Sequence, residues 1–248
     1  MVVLLALAST AWLSTYLQMA GMDAGPWTDP GSFGSYISAW VVMMAAMMLP
    51  SIVPMVLMFS RLKHARSTPA VATSAFVIGY LVVWTASGLV AYAALKAGQA
   101  GGIFTWDRFG RPMAVGALLA AALYEMTPLK TKCLRKCRSP LGFLLSSWRD
   151  GLRGAFTMGT RHGAWCLGCC WALMVALFAL GVMSLTWMLV VSGLIAAEKL
   201  LPWRRVATAG VSVLLLAVAI GVAAAPASVP WLTVPMTVPM TVPMTGQM

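Results

Sequence analysis

The chain has 248 residues, of which 60% are hydrophobic and only 9% are charged. A soluble domain carries about 25% charged residues, so this composition is too poor in charge to cover a soluble surface of this size. In a bilayer, apolar side chains can face outward instead. The formal net charge of +11 does not indicate nucleic acid as a partner, because the basic residues occupy short loops between apolar runs.

Seven apolar runs predict an all-α fold, a polytopic transmembrane helical bundle of about seven spans. The runs cover residues 2–20, 36–59, 70–95, 112–127, 164–182, 184–201 and 206–225. A hydrocarbon core of ~30 Å requires about 20 apolar residues in a helix, so the first and fourth runs are short. The first run has no basic segment before it, and we interpret it as a helix rather than as a removed signal peptide.

The lysine and arginine residues predict the orientation of these spans. If the spans alternate in direction, 14 of the 17 basic residues lie on one side, in the stretches 61–66, 130–161 and 199–205. Loops on the cytoplasmic side are enriched in Lys and Arg. We therefore expect a multi-pass membrane protein with the N-terminus inside and the C-terminus outside.

The C-terminal residues differ in composition from the rest of the chain. Residues 233–244 contain three copies of Thr-Val-Pro-Met, and a proline at every fourth position forbids helix and disfavours sheet. We predict one transmembrane helical domain over residues 1–226 and a flexible repeat tail over residues 227–248.

The segment 124–138 is rich in basic residues and carries two cysteines. The Thr-Pro pair at 127–128 is typical of the start of a helix, and the Ser-Pro pair at 139–140 is expected to end it. Residues spaced by four share a helix face. The pattern predicts a short amphipathic helix at the inner interface, with its buried face formed by Leu129, Cys133 and Cys137.

Three further cysteines, Cys166, Cys169 and Cys170, lie at the start of the fifth run, where helical spacing places them on one face. This run begins on the side where the amphipathic helix lies, so both cysteine groups are expected at the same membrane depth. Their position among basic residues favours reduced thiols on the cytoplasmic side. Thiolates suit copper(I) or another soft ion, and the spacings are not those of a zinc finger.

Two acidic residues, Glu125 and Glu198, lie inside predicted spans near their inner ends. An ionisable group in a span costs about 2.5–3.5 kcal/mol on insertion scales and is a candidate functional residue. Each carboxylate could ligate a metal or pair with a basic residue of a loop, and the sequence leaves both alternatives open.

Residues 40–54, 124–138 and 163–174 resemble a bacterial family of predicted metal-binding integral membrane proteins, some of which are described as copper-chaperone-like. The resemblance extends over roughly residues 36–205, and its most specific block is Cys-Leu-Gly-Cys-Cys-Trp-Ala-Leu-Met at 166–174. The family pattern usually has glutamine where this chain has Glu125. The resemblance implies metal binding by Cys133, Cys137, Cys166, Cys169, Cys170, Met47, Met48 and Glu198.

We therefore expect an integral protein of the bacterial inner membrane that binds a soft metal ion, with a copper ion favoured, for delivery or assembly rather than for turnover. Its partners would be the lipid bilayer and a larger membrane complex or a recipient metalloenzyme. No catalytic residue is assigned, because no phosphate-binding loop or dinucleotide fingerprint is present. Two alternatives stay open: a structural accessory subunit of a membrane complex, and a thiol redox protein that uses Cys166 with Cys169 or Cys170.

Overall fold

The computed structural model describes residues 2–19, 31–63, 69–101, 109–181 and 184–229. Within these ranges the chain is all-helical and has no strand. The helices are α1 (Val2–Met19), α2 (Phe33–Lys63), α3 (Pro69–Ala100), α4 (Arg111–Glu125), α5 (Pro128–Arg138), α6 (Pro140–Ser147), α7 (Gly151–Leu180), α8 (Leu185–Leu200) and α9 (Arg204–Ala224). A 3₁₀ turn at Pro226–Ser228 follows α9. The predicted tail covers residues 227–248, and its three repeats, residues 233–244, lie outside the described residues.

Four helical stretches of the described chain are long and apolar enough to cross a membrane. They are Phe33–Leu62, Ala70–Ala100, Gly151–Leu180 and Arg205–Ala224. Counting α4 and α5, which meet at a 67° bend, as one broken span gives five. The predicted all-α fold class is confirmed, but the count of seven spans is not. Two of the predicted spans correspond to α4 and α8, which have only 15 and 16 residues, fewer than the about 20 of a full span.

The helix that carries three of the cysteines begins earlier than its apolar run. α7 starts at Gly151 rather than at residue 164. The added stretch contains Arg153 and Arg161, whose charges end an apolar run without preventing a helix. Residues 166–170 therefore lie in the middle of a 30-residue helix and not at its start.

α3 and α7 run parallel and approach each other closely. A Cβ on Gly159 would overlap the backbone of Phe76, and a Cβ on Gly163 would lie 3.1 Å from the carbonyl oxygen of Tyr80. The residue numbers of the contacting positions increase in the same direction along both helices, so the two helices are parallel. Small residues permit such close backbone approach between apolar helices, and this contact brings α3 alongside the cysteines of α7.

α2 packs antiparallel to α3 and contributes much of the buried core. The ring of Tyr36 lies 5.2 Å from that of Tyr92, and at the other end of the pair Phe59 lies 5.1 Å from Phe76. Unbranched thioether side chains fill irregular gaps between helices. The methionines that do so on α2 are Met43, Met44, Met47, Met48 and Met55, all buried.

α4 and α9 form a second antiparallel pair. Near one end Arg111 Nε donates to the carbonyl oxygen of Val222 at 3.1 Å, and near the other Ser212 Oγ donates to that of Ala122 at 2.9 Å. The short helix α5 packs against α7, and the short helix α8 contacts α2, α5 and α7. This arrangement brings residues from five helices to one buried location.

Candidate metal centre

α5 begins and ends where the sequence predicts. Thr127 precedes it with an extended backbone (φ −75°, ψ 150°), and its Oγ1 accepts a hydrogen bond from the backbone N–H of Lys130 at 3.2 Å. Pro128 occupies the first helical position, where its missing N–H costs nothing. This local capping chemistry fixes the register of the helix that carries Cys133 and Cys137.

The buried residues of α5 are Lys130, Cys133 and Leu134, and Cys137 is half-buried. Cys133 is buried as expected, but Leu129 is 57% exposed whereas Lys130 is fully buried. Placing Leu129 on the buried face is therefore wrong. The reason is electrostatic: two buried acids, Glu125 and Glu198, require a cation between them, and Lys130 supplies it.

Lys130 bridges the two acidic residues that the sequence singles out. Its Nζ lies 2.7 Å from a carboxylate oxygen of Glu125 and 2.7 Å from one of Glu198, and the three side chains are almost completely buried. Arg138 also donates to the backbone carbonyl oxygens of Glu198, at 2.8 Å, and of Leu201. Both carboxylates are thus paired with Lys130 of α5. Ligation of a metal by Glu198 stays a prediction.

Four sulfur atoms converge between α5 and α7, and we call them the thiol cluster: Cys137, Cys166, Cys169 and Cys170. The Sγ of Cys169 lies 3.3 Å from that of Cys170 and 3.7 Å from that of Cys137. The sulfurs of Cys166, Cys169 and Cys170 all lie within 4.8 Å of one another and are buried. All five cysteines of the chain are free thiols.

Cys166 has polar partners from two other helices. The hydroxyl of Tyr80, on α3, lies 3.1 Å from its Sγ, and the Nζ of Lys199, on α8, also lies 3.1 Å away. Lys199 donates in addition to the Oγ of Ser51, on α2, at 3.0 Å. Sequence reasoning assigned no role to these three residues. A lysine inside an apolar run is the only local signal for Lys199, and Tyr80 and Ser51 have none.

The remaining predicted ligands lie beside the thiol cluster or in the core. Cys133 faces Gly168, where an added Cβ would be 3.0 Å from its sulfur, and it makes no sulfur–sulfur contact with the described residues. Met47 and Met48 are buried among the core residues of α2. Their roles as ligands stay predictions.

One turn before Cys166, His162 is buried among aromatic rings. Its ring centroid lies 5.2 Å from that of Phe143, 6.0 Å from that of Tyr80 and 6.1 Å from that of Phe76. Its Nδ1 has no hydrogen-bond partner among the described residues. This side chain adds a nitrogen donor on the face of α7 that carries Cys166.

The donor set of the thiol cluster suits a soft metal cation. Sulfurs that share one ion through bonds of ~2.3 Å lie about 4 Å apart, close to the separations between Cys169 and its two neighbours. Hard cations such as Ca²⁺ and Mg²⁺ require oxygen ligands, whereas thiolates select copper(I) and similar ions. The residues present therefore fit copper(I).

An apolar cavity of ≈ 730 Å³ lies along the adjoining face of α7. Trp40, Trp84 and Trp171 contribute to its walls, and its soft donors are the thioethers of Met113 and Met174. It contains no thiol and no charged side chain. Of these two sites, the thiol cluster is the one with the donors that bind a metal strongly.

Comparison with curated proteins and with solved structures gave no match. A family model does match: the PpoB2 family, described as copper chaperone, over residues 37–222. The match covers about three quarters of the chain and includes the thiol cluster, Tyr80, Ser51 and Lys199. It extends further along the chain than the resemblance over residues 36–205 and agrees with its copper-chaperone description. The chain belongs to the PpoB2 copper chaperone family.

Proposed function

We propose that this chain is a membrane-embedded protein that holds copper(I) as cargo at the thiol cluster and delivers it to a recipient metalloenzyme. The observation that carries the proposal is the convergence of Cys137, from α5, with Cys166, Cys169 and Cys170, from α7. Cys137 and Cys169, 32 positions apart in the chain, thus contribute to one compact set of soft donors. Family membership supports copper as the ion.

The chemistry of the cluster favours binding followed by transfer. Each thiol that ligates the cation loses its proton, so binding exchanges protons for copper(I). Four neighbouring sulfurs exceed the number needed to hold a copper(I) ion of low coordination number. A thiol or thioether of the recipient protein can then replace one sulfur at a time, which avoids release of the free ion.

The membrane setting of this proposal rests on the apolar helices and on the charge distribution. Four described helical stretches are long and apolar enough to span a bilayer, and basic residues predominate in the loops assigned to the inner side. One member of the thiol cluster, Cys137, lies on α5, the helix that also carries Lys130 and Arg138. We therefore propose that copper(I) is collected or released at the cytoplasmic side of the bacterial inner membrane.

The test is copper stoichiometry in full-length protein purified in detergent. Wild type, a Cys166→Ser, Cys169→Ser double variant and a Cys133→Ser variant are loaded with copper(I) without oxygen, and bound copper is measured by mass spectrometry. We expect stoichiometric copper in wild type and its loss in the double variant. Cys133→Ser removes a buried sulfur outside the thiol cluster and should keep its copper, whereas loss of copper there would make Cys133 a further ligand.

Stoichiometric copper that survives in the double variant would exclude the thiol cluster as the site. The two other functions give different results in the same preparation. Thiols that cycle with a defined potential without metal would favour the redox protein. Metal-free protein with a stable co-purifying partner would favour the accessory subunit.

A further inference from the structure

Lys199 holds a positive charge in a fixed position beside the thiol cluster. Its Nζ lies 3.1 Å from the Sγ of Cys166 and 3.0 Å from the Oγ of Ser51. The Ser51 hydroxyl donates to the carbonyl oxygen of Met48 at 2.8 Å, so its oxygen is oriented to accept from the ammonium group. The lysine is thereby anchored between α2 and α7.

The charge of Lys199 is not neutralised by a carboxylate. Within the described chain it forms no salt bridge, whereas Lys130 is bridged to two acids, Glu125 and Glu198. Cys166 is completely buried, so water screens the interaction between its sulfur and the ammonium group weakly. In a buried site the effective dielectric constant is low. The ammonium group, 3.1 Å from the sulfur, therefore interacts strongly with the charge of any metal complex that the sulfur forms.

The sign of this charge distinguishes monovalent from divalent metals. For any given number of thiolate ligands, a copper(I) complex carries one more unit of negative charge than the zinc(II) complex. A fixed cation therefore stabilises the copper(I) complex more than the zinc(II) complex that has the same number of thiolates. With two thiolates, copper(I) and Lys199 together form a neutral set, which is the least costly arrangement for a buried site.

From this geometry we infer that Lys199 is a specificity-determining residue, which makes the thiol cluster prefer a monovalent soft cation over divalent ions such as zinc(II). The inference rests on the proposed function, since it concerns the same sulfurs. It adds a charge-based selection that the thiols alone do not provide, because thiolates bind zinc(II) as well as copper(I).

The experiment compares the affinities of full-length wild type and variants for copper(I) and zinc(II), each measured by competition with a chelator of known affinity without oxygen. In Lys199→Met we expect the preference for copper(I) over zinc(II) to fall by at least about tenfold, the effect of one buried unit charge. Lys199→Arg keeps the charge and should keep the preference. Lys132→Met removes an exposed lysine of α5 and should change nothing.

Two results would overturn the inference. An unchanged preference in Lys199→Met, or an equal loss of affinity for both metals, would leave Lys199 a packing residue. If Lys199→Met does not fold, as judged by its thermal unfolding, Ser51→Ala takes its place. This variant keeps the charge of Lys199 but removes the hydroxyl to which Lys199 donates. The preference for copper(I) should then fall by less than in Lys199→Met. Wild type that binds no copper would instead overturn the proposed function and this inference with it.

Discussion

Lys130 is the residue that joins three helices on the basic side of the bundle. It lies on α5, Glu125 ends α4, and Glu198 lies in the last turn of α8. Buried ion pairs gain little over a hydrophobic replacement, but removing one partner leaves an uncompensated charge in a medium of low dielectric constant. The consequence is that the two acids depend on the lysine more than the lysine depends on either acid.

Lys130→Met should therefore destabilise the protein strongly. Two buried carboxylates would face each other without a cation, and we expect the free energy of unfolding to fall by about 3–5 kcal/mol. Glu125→Gln leaves a one-to-one pair of Lys130 with Glu198 and should be tolerated. Thermal unfolding in detergent measures both, with the exposed Lys132→Met as a control expected within about 0.5 kcal/mol of wild type. A wild-type melting curve for Lys130→Met would contradict this account.

At the scale of the helices, the parallel contact of α3 with α7 positions the thiol cluster. Gly159 and Gly163 let the backbone of α7 lie against residues 76–80 of α3, which brings the Tyr80 hydroxyl to the sulfur of Cys166. A larger residue in this contact would separate the two helices and the two groups. Packing here is thus a condition for the geometry of the site.

Gly159→Ala should lower stability, because the added methyl group would overlap the backbone of Phe76, which cannot rotate away. Overpacking of this kind costs about 1–3 kcal/mol. Gly193→Ala is the matched control: it lies within α8, and its added Cβ would meet nothing within 4 Å. That change should be neutral or should stabilise by up to about 1 kcal/mol through helix propensity. Equal melting temperatures for the two variants would rule out the proposed close contact.

At the scale of the whole molecule, the relative directions of the helices agree with alternation of the apolar runs. α2 is antiparallel to α3, α3 is parallel to α7, and α4 is antiparallel to α9. In the predicted orientation, the starts of α3 and α7 both lie on the basic side. The absolute orientation follows from the positive-inside rule and is open to a direct test.

Reporter fusions test the orientation in a bacterial host. Alkaline phosphatase, which is active only outside the cytoplasm, should be active when fused after Gly101 and inactive when fused after Ser147. A green fluorescent protein fused at the same positions provides the reciprocal control, because it fluoresces inside. Activity of the phosphatase after Ser147 would show that the basic side faces outward.

Features that depend on neighbours in the chain could be predicted from the sequence. The N-cap and the first proline of α5 are adjacent residues whose hydrogen bond forms within one turn, so Thr127 and Pro128 define its start. The same spacing rule places Cys166 beside Cys169 and Cys170. It fails for Leu129 because the partner that buries Lys130 in its place, Glu198, lies 68 positions away.

The sequence by itself determined a helical, charge-poor chain with two groups of thiols on helices, because hydropathy and helical periodicity are local properties. Only the tertiary structure decided that Cys137 meets Cys169, and that Tyr80 and Lys199 flank Cys166. These contacts join residues 32 to 86 positions apart. They arise from the packing of separate helices against α7, and no pattern within a single helix encodes which side chain a neighbouring helix will present.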